Sequence, residues 1–288
     1  MDLLVQRVKT FVGTGGREFD PALPLVVFVH GAALDHTVWM LLARWFAHRG
    51  HAVLAPDLPG HGRSEGEPLV SIAAMADWIA ALIAAAKAER ARIIGHSMGS
   101  LVALETAARH PQRASAIALI ATAAAMPVTP ELLDAAKAGD HAAIEMMSIW
   151  GYGFRAGLGG SLAPGSWMRG SGERLLERAR PGLLFADLCA CNEYRDGLAS
   201  AAKVKAPATL VLGERDMMTP ERAGRELAAA LPSARVVTLD GAGHMLMSER
   251  PNEVLDALRG ENPGFREELN PGDGHQRRAQ TLKARTGR

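Results

Sequence analysis

The segment Gly95-His96-Ser97-Met98-Gly99 constrains this chain more than any other part of its sequence. A short apolar run from Arg92 to Ile94 precedes it and predicts the end of a buried strand, and an Ala-rich stretch to about Arg109 predicts a helix after it. Between a strand and a helix, Gly-x-Ser-x-Gly forms a tight turn that projects the serine hydroxyl from its tip. The sequence therefore predicts that Ser97 is a nucleophile at the start of a helix, whose N–H groups favour a developing oxyanion.

Strand and helix patterns alternate along the rest of the chain, which is typical of a parallel, doubly wound α/β sheet. Apolar runs predict further strands at 25–29, 52–55, 116–120, 209–212 and 235–239, and a single edge strand at 3–12. Helices are predicted at 38–49, from a cap at Ser71 to about Arg90, and at 220–230. We expect the fold class to be α/β.

Composition excludes several classes of protein. The 288 residues are 48% hydrophobic and 22% charged with a net charge of +1, so nothing favours nucleic acid or an anionic membrane as a partner. The N-terminus lacks the pattern of a secretory signal, and the apolar stretch 72–86 is interrupted by Asp77 and is too short to span a bilayer. Cys189 and Cys191 are too close for an ordinary disulfide, so we expect free thiols and a cytoplasmic location.

Residues 126–201 break the alternation, because they show no strand pattern. Helices are predicted at 131–138, 142–150 and 173–180, around a Gly-rich middle at 151–172. A long connection of this kind is usually functional, so we expect a helical cap inserted after the sixth strand, over a core of residues 1–125 and 202–260. The alternative is a helical subdomain that packs on itself. Residues 261–288 form a basic tail that we expect to be disordered.

The loops that follow the predicted strands supply candidates for the rest of a catalytic site. His30-Gly31-Ala32-Ala33 follows the strand 25–29, and the N–H groups of Ala32 and Met98 could together form an oxyanion hole. We expect a structural role for His30. The segment 57–64 predicts a rigid multiple turn, with Asp57 and Arg63 as scaffold and His61 near the rim of the pocket. Asp35 and His36, just past the turn at 30–33, are expected to cap the helix that follows them.

An acid and a base follow the last two predicted strands. Glu214 and Asp216 both qualify as the acid by residue type, and we prefer Asp216 because it lies deeper in its loop. His244 lies on a turn flanked by glycine and is free to reach across the sheet toward Ser97. The chain order Ser97, Asp216, His244, with each member after a strand, predicts a catalytic triad.

This set of motifs resembles the α/β-hydrolase superfamily over about residues 25–258, with 126–201 at the position of that family's cap. The resemblance is greatest to the small bacterial esterase, perhydrolase and C–C-bond hydrolase branches. Epoxide hydrolases and haloalkane dehalogenases have an aspartate nucleophile at the position of Ser97, so the resemblance does not extend to those two classes of enzyme. The segment His30-Gly31-Ala32-Ala33-Leu34-Asp35 differs from the His-Gly-Gly-Gly-Pro-Gly turn of many C–C hydrolases, which weakens that assignment.

The predicted reaction is transfer of an acyl group from a small-molecule ester, lactone or thioester to water through an acyl-enzyme. We expect substrate contacts from Met147, Trp150 and Trp167 in the cap, and no motif requires a metal or organic cofactor. One alternative is C–C-bond hydrolysis of a diketone acid, for which Arg155, Arg169 or Arg195 would anchor the substrate carboxylate. Another is a ligand sensor with slow turnover, and a homodimer is possible in either case.

Overall fold

The structure is a computed structural model and describes residues 1–160 and 167–259. The predicted tail at 261–288 lies outside these residues, as does part of the Gly-rich stretch. One eight-stranded sheet has the strand order β1-β2-β4-β3-β5-β6-β7-β8. Its strands are β1 (Asp2–Val5), β2 (Val8–Gly13), β3 (Leu25–Val29), β4 (Ala52–Pro56), β5 (Ala91–His96), β6 (Ala114–Ile120), β7 (Ala208–Gly213) and β8 (Ala234–Leu239).

Strands β3 to β8 pair in parallel, which confirms the predicted doubly wound α/β sheet. Strand β3 shows why its sequence is apolar throughout. Val27 and Val29 belong to the apolar layer on one face of the sheet, which includes Trp78, whereas Val26 and Phe28 belong to the layer on the other face. A strand covered on both faces needs apolar residues at every position.

The N-terminal segment differs from the prediction. The single edge strand expected at 3–12 is a hairpin, in which β1 pairs with β2 in antiparallel register. Gln6 and Arg7 form its two-residue turn with φ of 48° and 70°. A turn of this kind normally carries Asn, Asp or Gly, so these residues gave no turn signal in the sequence.

Six helices belong to the sheet domain: α1 (Met40–Ala47), α2 (Ile72–Ala85), α3 (Met98–Arg109), α10 (Glu221–Ala230), α11 (Leu246–Glu249) and α12 (Pro251–Arg259). Helix α2 begins at the predicted cap, where Ser71 Oγ accepts a hydrogen bond from Ala74 N–H at 3.2 Å. It ends at Ala85, earlier than expected. No helix in the described ranges is both long and apolar enough to cross a membrane.

The described residues between β6 and β7 contain helices and no strand: α4 (Pro130–Ala138), α5 (Ala142–Gly151), α6 (Phe154–Gly157), α7 (Met168–Glu177), α8 (Leu183–Glu193) and α9 (Gly197–Ala201). We call residues 130–201 the helical insertion. Helices α4 and α5 lie where the sequence predicts them, and α7 begins before the predicted start at 173. Helix α8 was not predicted from the sequence, although its Asp187 bonds to Ala33 beside the candidate site.

Candidate active site

Ser97 lies between β5 and α3 in a strained backbone conformation, with φ of 53° and ψ of −123°. Gly95 and Gly99, two residues before and after Ser97, are required because other backbone atoms approach their Cα atoms closely. A Cβ atom on Gly95 would lie 1.9 Å from Gly99 O, and one on Gly99 would lie 2.2 Å from Val29 O. Strain of this kind is tolerated where the surrounding structure determines it, and here it places the serine at the tip of the turn.

His244 and Asp216 contact each other, as the sequence analysis expected of a base and its acid. His244 Nδ1 lies 2.9 Å from Asp216 Oδ2. The two residues follow β8 and β7, whose carboxyl ends reach the same edge of the sheet because these strands are parallel. The other acid candidate, Glu214, instead accepts a hydrogen bond from Gly241 N–H at 2.8 Å.

The Asp216 carboxylate is buried but well satisfied. Its Oδ1 accepts from Met218 N–H at 2.9 Å and Thr219 N–H at 2.8 Å, and its Oδ2 accepts from Thr219 Oγ1 at 2.7 Å. Burial acts to raise the pKa of Asp216, but the His244 ring and these donors outweigh it and leave the pKa below its ordinary value. The ionised carboxylate therefore favours the His244 tautomer that has its proton on Nδ1.

That tautomer leaves His244 Nε2 as a free acceptor. Among the described residues Nε2 has no hydrogen-bond partner, although it is buried. His244 and Ser97 line the same narrow pocket. A buried, unpaired ring nitrogen of this kind is suited to accepting a proton from a nucleophile that lines the same space.

The N–H groups of Ala32 and Met98 have no acceptor within the described part of the chain. His30, which precedes this turn, is buried and structural: its Nδ1 lies 2.9 Å from Gly31 O, and its Nε2 accepts from Leu58 N–H at 3.1 Å. Burial, reinforced by the nearby His61, lowers the pKa of His30 to about 4, so the ring is neutral.

His96 has a positioning contact that the sequence analysis did not find. Its Nε2 lies 3.0 Å from the backbone oxygen of His244. Burial, together with the His244 ring, lowers the pKa of His96 to about 3, so the ring is neutral and donates its single N–H to that oxygen. The residue before Ser97 thus holds the loop that carries His244.

These two neutral histidines predict a loss of stability in mild acid. His30 and His96 titrate near 6.5 when unfolded but near pH 4 and 3 when folded, so between these values the unfolded chain binds about two more protons. These two groups should therefore lower the free energy of unfolding by about 2 kcal/mol per pH unit between pH 6 and 5. His61 and Glu249, whose pKa values are raised in the folded protein, act weakly in the opposite direction.

Urea unfolding at several pH values measures this slope. The variant His96→Gln keeps an N–H donor near the position of Nε2 for the His244 oxygen but removes one titrating group, so its slope should be smaller than that of the parent by about 1 kcal/mol per pH unit. Equal slopes in the two proteins would contradict the assignment.

His61 does not lie at a pocket rim, as the sequence analysis expected, but is completely buried. Its Nε2 lies 2.8 Å from Asp187 Oδ2 on α8, and its Nδ1 lies 3.0 Å from Pro59 O. The sequence gave no sign of this because Asp187 is more than a hundred residues away along the chain.

The scaffold residues of the segment 57–64 behave as expected. Asp57 accepts hydrogen bonds from Arg63 N–H at 2.9 Å and His36 N–H at 2.7 Å. Asp35 caps the following 3₁₀ turn through Thr37 N–H at 2.9 Å, whereas the His36 ring pairs with Asp57 at 2.8 Å instead of capping. Asp35, His36 and Asp57 could ligate a metal by residue type, but these internal bonds already engage Asp35 Oδ1, His36 Nδ1 and both carboxylate oxygens of Asp57.

The helical insertion is bonded directly to the loop of His244. Gly151 O, at the end of α5, accepts hydrogen bonds from His244 N–H at 3.1 Å and Met245 N–H at 2.9 Å. The buried Glu249 carboxylate accepts from Gly153 N–H of the insertion and Gly243 N–H of the loop, both at 3.1 Å. Burial raises the pKa of Glu249 overall. The insertion and the candidate base therefore form one bonded unit.

Two adjoining pockets, which share lining residues, lie at this site. The inner pocket, of about 30 Å³, is lined by Gly31, Ala32, Leu34, His96, Ser97, Met147, Ser148, Gly151, Tyr152, Gly172, Leu176, Met218, His244 and Met245. The outer pocket, of about 710 Å³, shares Tyr152, Gly172 and Met245 with it. Among the described residues, no Asp, Glu, Lys or Arg lines the inner pocket.

Of the three substrate contacts expected in the insertion, only Met147 lines the inner pocket. Trp150 packs against an apolar cluster within the insertion, and Trp167 is 59% exposed. Neither tryptophan lines the inner or the outer pocket. Trp150 lies in α5, whose register the sequence left open, and Trp167 immediately precedes α7.

Comparison with known proteins gives consistent results. Residues 26–257 match the sequence profile described as "Alpha/beta hydrolase family". The chain is similar to a pimeloyl-[acyl-carrier protein] methyl ester esterase of Chromobacterium violaceum, with 32% identity over 253 residues that cover 82% of this chain and 92% of the relative. It is 30% identical over 269 residues to a protein of the same description from Aromatoleum aromaticum, covering 82% of this chain and 99% of the relative.

Among solved structures, the enol-lactonase from Burkholderia xenovorans LB400 is similar with a TM-score of 0.80 and 23% identity. The likeness covers 90% of this chain and 98% of the lactonase. At this level of identity the comparison shows a shared fold, which confirms the predicted architecture.

Proposed function

Because this chain belongs to the alpha/beta hydrolase family, we propose that it is a serine esterase with Ser97 as nucleophile, His244 as general base and Asp216 as the orienting acid. The observation that carries the proposal is the 2.9 Å contact between His244 Nδ1 and Asp216, which leaves His244 Nε2 free in the pocket that Ser97 lines. This arrangement supports the relation of nucleophile, base and orienting group that acyl transfer requires.

In the proposed mechanism, His244 Nε2 takes the proton of Ser97 as the hydroxyl oxygen attacks the substrate carbonyl carbon. The tetrahedral intermediate collapses, and His244 returns the proton to the departing alkoxide, which leaves as an alcohol. A water molecule then attacks the acyl-enzyme with His244 as base, and the acid is released from Ser97. Asp216 stabilises the imidazolium in both halves of the cycle.

The N–H groups of Ala32 and Met98 would hold the oxyanion of both tetrahedral intermediates. Their lack of other acceptors among the described residues supports this role. Each donor of this kind is worth about 3 kcal/mol in the transition state, because it is fixed in place before charge develops.

The pocket favours a neutral ester over a diketone acid. A C–C hydrolase of the kind considered above needs a cation for the substrate carboxylate, and Arg155, Arg169 and Arg195 line neither the inner nor the outer pocket. Arg174 and Arg178 line the outer pocket, but each is paired with a carboxylate, Glu177 and Asp35 respectively. The three inner-pocket methionines, Met147, Met218 and Met245, offer a wall that adapts to apolar groups. We infer that one short side of the ester enters the inner pocket and the longer side extends into the outer pocket.

The relatives support a small alcohol on the short side, because two of them are described as methyl ester esterases. Within this proposal, residues 126–201 act as the cap, a small molecule is the substrate and no cofactor takes part. The free thiols of Cys189 and Cys191 favour a cytoplasmic location.

A series of synthetic esters tests the proposal. We expect saturable hydrolysis of p-nitrophenyl esters with short acyl chains, and of methyl esters with longer acyl chains. Esters with two long sides should be hydrolysed at least about tenfold more slowly, because the inner pocket must expand to admit them. A ligand sensor would instead label once with a fluorophosphonate and show no turnover, and cleavage of diketone acids alone would favour the C–C hydrolase.

A further inference from the structure

We propose that Asp187, on helix α8 of the insertion, is a positioning residue that fixes the turn carrying the oxyanion donor Ala32. The inference rests on the proposed function, in which Ala32 N–H binds the oxyanion. Asp187 is completely buried, and its Oδ2 accepts a hydrogen bond from Ala33 N–H at 2.8 Å. A side chain of the insertion therefore reaches the residue next to the donor.

The turn has a conformation that its sequence disfavours. Leu34 N–H donates to Gly31 O at 3.2 Å and closes a four-residue turn with Ala32 and Ala33 at its centre. Ala33 has φ of 53°, whereas Ala32 does not have a positive φ, which is the pattern of a type II turn. Type II turns prefer glycine at this third position, so alanine favours a flip of the central peptide to type I.

Asp187 acts against that flip. Reversal of the Ala32–Ala33 peptide would turn Ala33 N–H away from the carboxylate and direct the Ala32 carbonyl oxygen toward it. A negative charge thus attracts the observed orientation and repels the alternative. Since Ala32 belongs both to the turn and to the oxyanion hole, a turn that is free to flip no longer holds its donor in one place.

His61 contacts the Asp187 carboxylate directly and fixes its orientation. Its Nδ1 contacts Pro59 O at 3.0 Å, which can only accept, so Nδ1 carries a proton while Nε2 contacts Asp187 Oδ2 at 2.8 Å. Burial lowers the pKa of His61, but the charge and hydrogen bond of Asp187 outweigh it and raise the pKa overall. His61 and Asp187 are therefore an ion pair, with Oδ2 serving two donors at once.

Stability alone explains this arrangement poorly. Asp187 Oδ1 has no hydrogen-bond partner among the described residues although it is buried. A buried ion pair of this kind contributes little net stability, and an unpaired buried oxygen costs free energy. What the pair provides is a fixed acceptor for Ala33 N–H.

The variant Asp187→Asn tests the inference. An amide at this position presents either its oxygen to Ala33 N–H or its NH₂ to a neutral His61, and cannot serve both. We expect kcat for ester hydrolysis to fall about 10- to 100-fold, part of the loss seen on removing an oxyanion donor, with KM within about threefold. The affinity for a trifluoromethyl ketone, which forms a tetrahedral adduct, should fall in parallel.

A second substitution separates positioning from a general structural effect. Ala33→Gly relieves the strain of the type II turn, so in the Asp187→Asn background it should restore most of kcat. In the parent protein it should change kcat by less than about threefold. Failure to restore kcat, or a loss confined to KM or to thermal stability, would overturn the inference.

Arg180 provides the matched control. It also joins the insertion to the core, through hydrogen bonds to Ser64 O at 2.7 Å and Gly66 O at 3.3 Å, but has no contact with the oxyanion turn. Arg180→Ala should leave kcat unchanged. A loss of kcat equal to that of Asp187→Asn would mean that weakening any contact between the insertion and the core lowers kcat, and would overturn the inference.

Two further measurements keep the result interpretable. If Asp187→Asn does not fold, His61→Gln replaces it in the same comparison. We expect His61→Gln to lower kcat by a smaller factor, and Ala33→Gly to restore kcat in that background as well. An unchanged kcat in His61→Gln, or a failure of Ala33→Gly to restore it, would overturn the inference. The rate at which a fluorophosphonate labels Ser97 is measured in all variants. A parent protein that neither labels nor hydrolyses esters contradicts the proposed function itself, whereas a competent parent with an equally fast Asp187→Asn contradicts only the role of Asp187.

Discussion

Replacement of Ser97 by alanine is expected to lower kcat for ester hydrolysis by about four to six orders of magnitude, with the fold intact. The variant keeps the oxyanion donors and the substrate pocket, so any residual rate comes from binding and oxyanion stabilisation alone. Removing a hydroxyl group also relieves none of the backbone strain at this position, where φ is 53°, so stability should change little. Steady-state kinetics and circular dichroism measure the two effects.

Ser71→Ala is the matched control for this substitution. Ser71 is also a serine at the start of a helix, but its Oγ only caps α2, through Ala74 N–H at 3.2 Å. Loss of the cap should lower the free energy of unfolding by about 1 kcal/mol and leave kcat unchanged. Turnover that survives in Ser97→Ala would exclude Ser97 as the nucleophile.

Replacement of Asp216 by asparagine is expected to lower kcat by about 10⁴-fold. The amide oxygen should take the place of Oδ1, which accepts from Met218 N–H and Thr219 N–H. The NH₂ group then faces His244 Nδ1 and donates to it. His244 would carry its proton on Nε2, and could no longer accept the proton of Ser97.

Glu214→Gln is the control, because Glu214 was the other acid candidate in the same loop. Its carboxylate contacts Gly241 N–H and not His244, so kcat should remain within about threefold of the parent. The pH profile of kcat/KM distinguishes the two roles. A large loss in Glu214→Gln with an active Asp216→Asn would reverse the assignment of the acid.

The sequence was most informative where chemistry follows a strand. Each of Ser97, Asp216 and His244 lies in the loop or turn that follows an apolar strand, and parallel strands carry such residues to one edge of a sheet. The preference for Asp216 over Glu214 agrees with the observed contact at 2.9 Å. Local patterns were sufficient here because the strand order determines which loops meet.

The sequence was least informative about contacts made by the helical insertion. Asp187 lies in α8, which the apolar pattern did not reveal, and its partners His61 and Ala33 are distant in the chain. The burial of His61 could not be predicted either, because its buried partner Asp187 was not identified from the sequence. Helix register inside the insertion likewise decided that Met147, but not Trp150, lines the inner pocket.

The insertion differs from a separate lid in one respect. Its Gly151 carbonyl oxygen accepts from His244 N–H at 3.1 Å, and its Asp187 accepts from Ala33 N–H at 2.8 Å. It is thus bonded to the proposed base on one side and to the proposed oxyanion turn on the other. In the proposed mechanism, the insertion would therefore link the lining of the inner pocket to the geometry of the chemical step.

The most direct test of the central claim is to identify the acylated residue. The protein is mixed with a p-nitrophenyl ester, quenched in acid during turnover and analysed by peptide mass spectrometry. We predict that the acyl group is found on Ser97, and that neither the adduct nor turnover occurs in Ser97→Ala. An acyl group on another residue, or undiminished turnover in Ser97→Ala, would contradict the account.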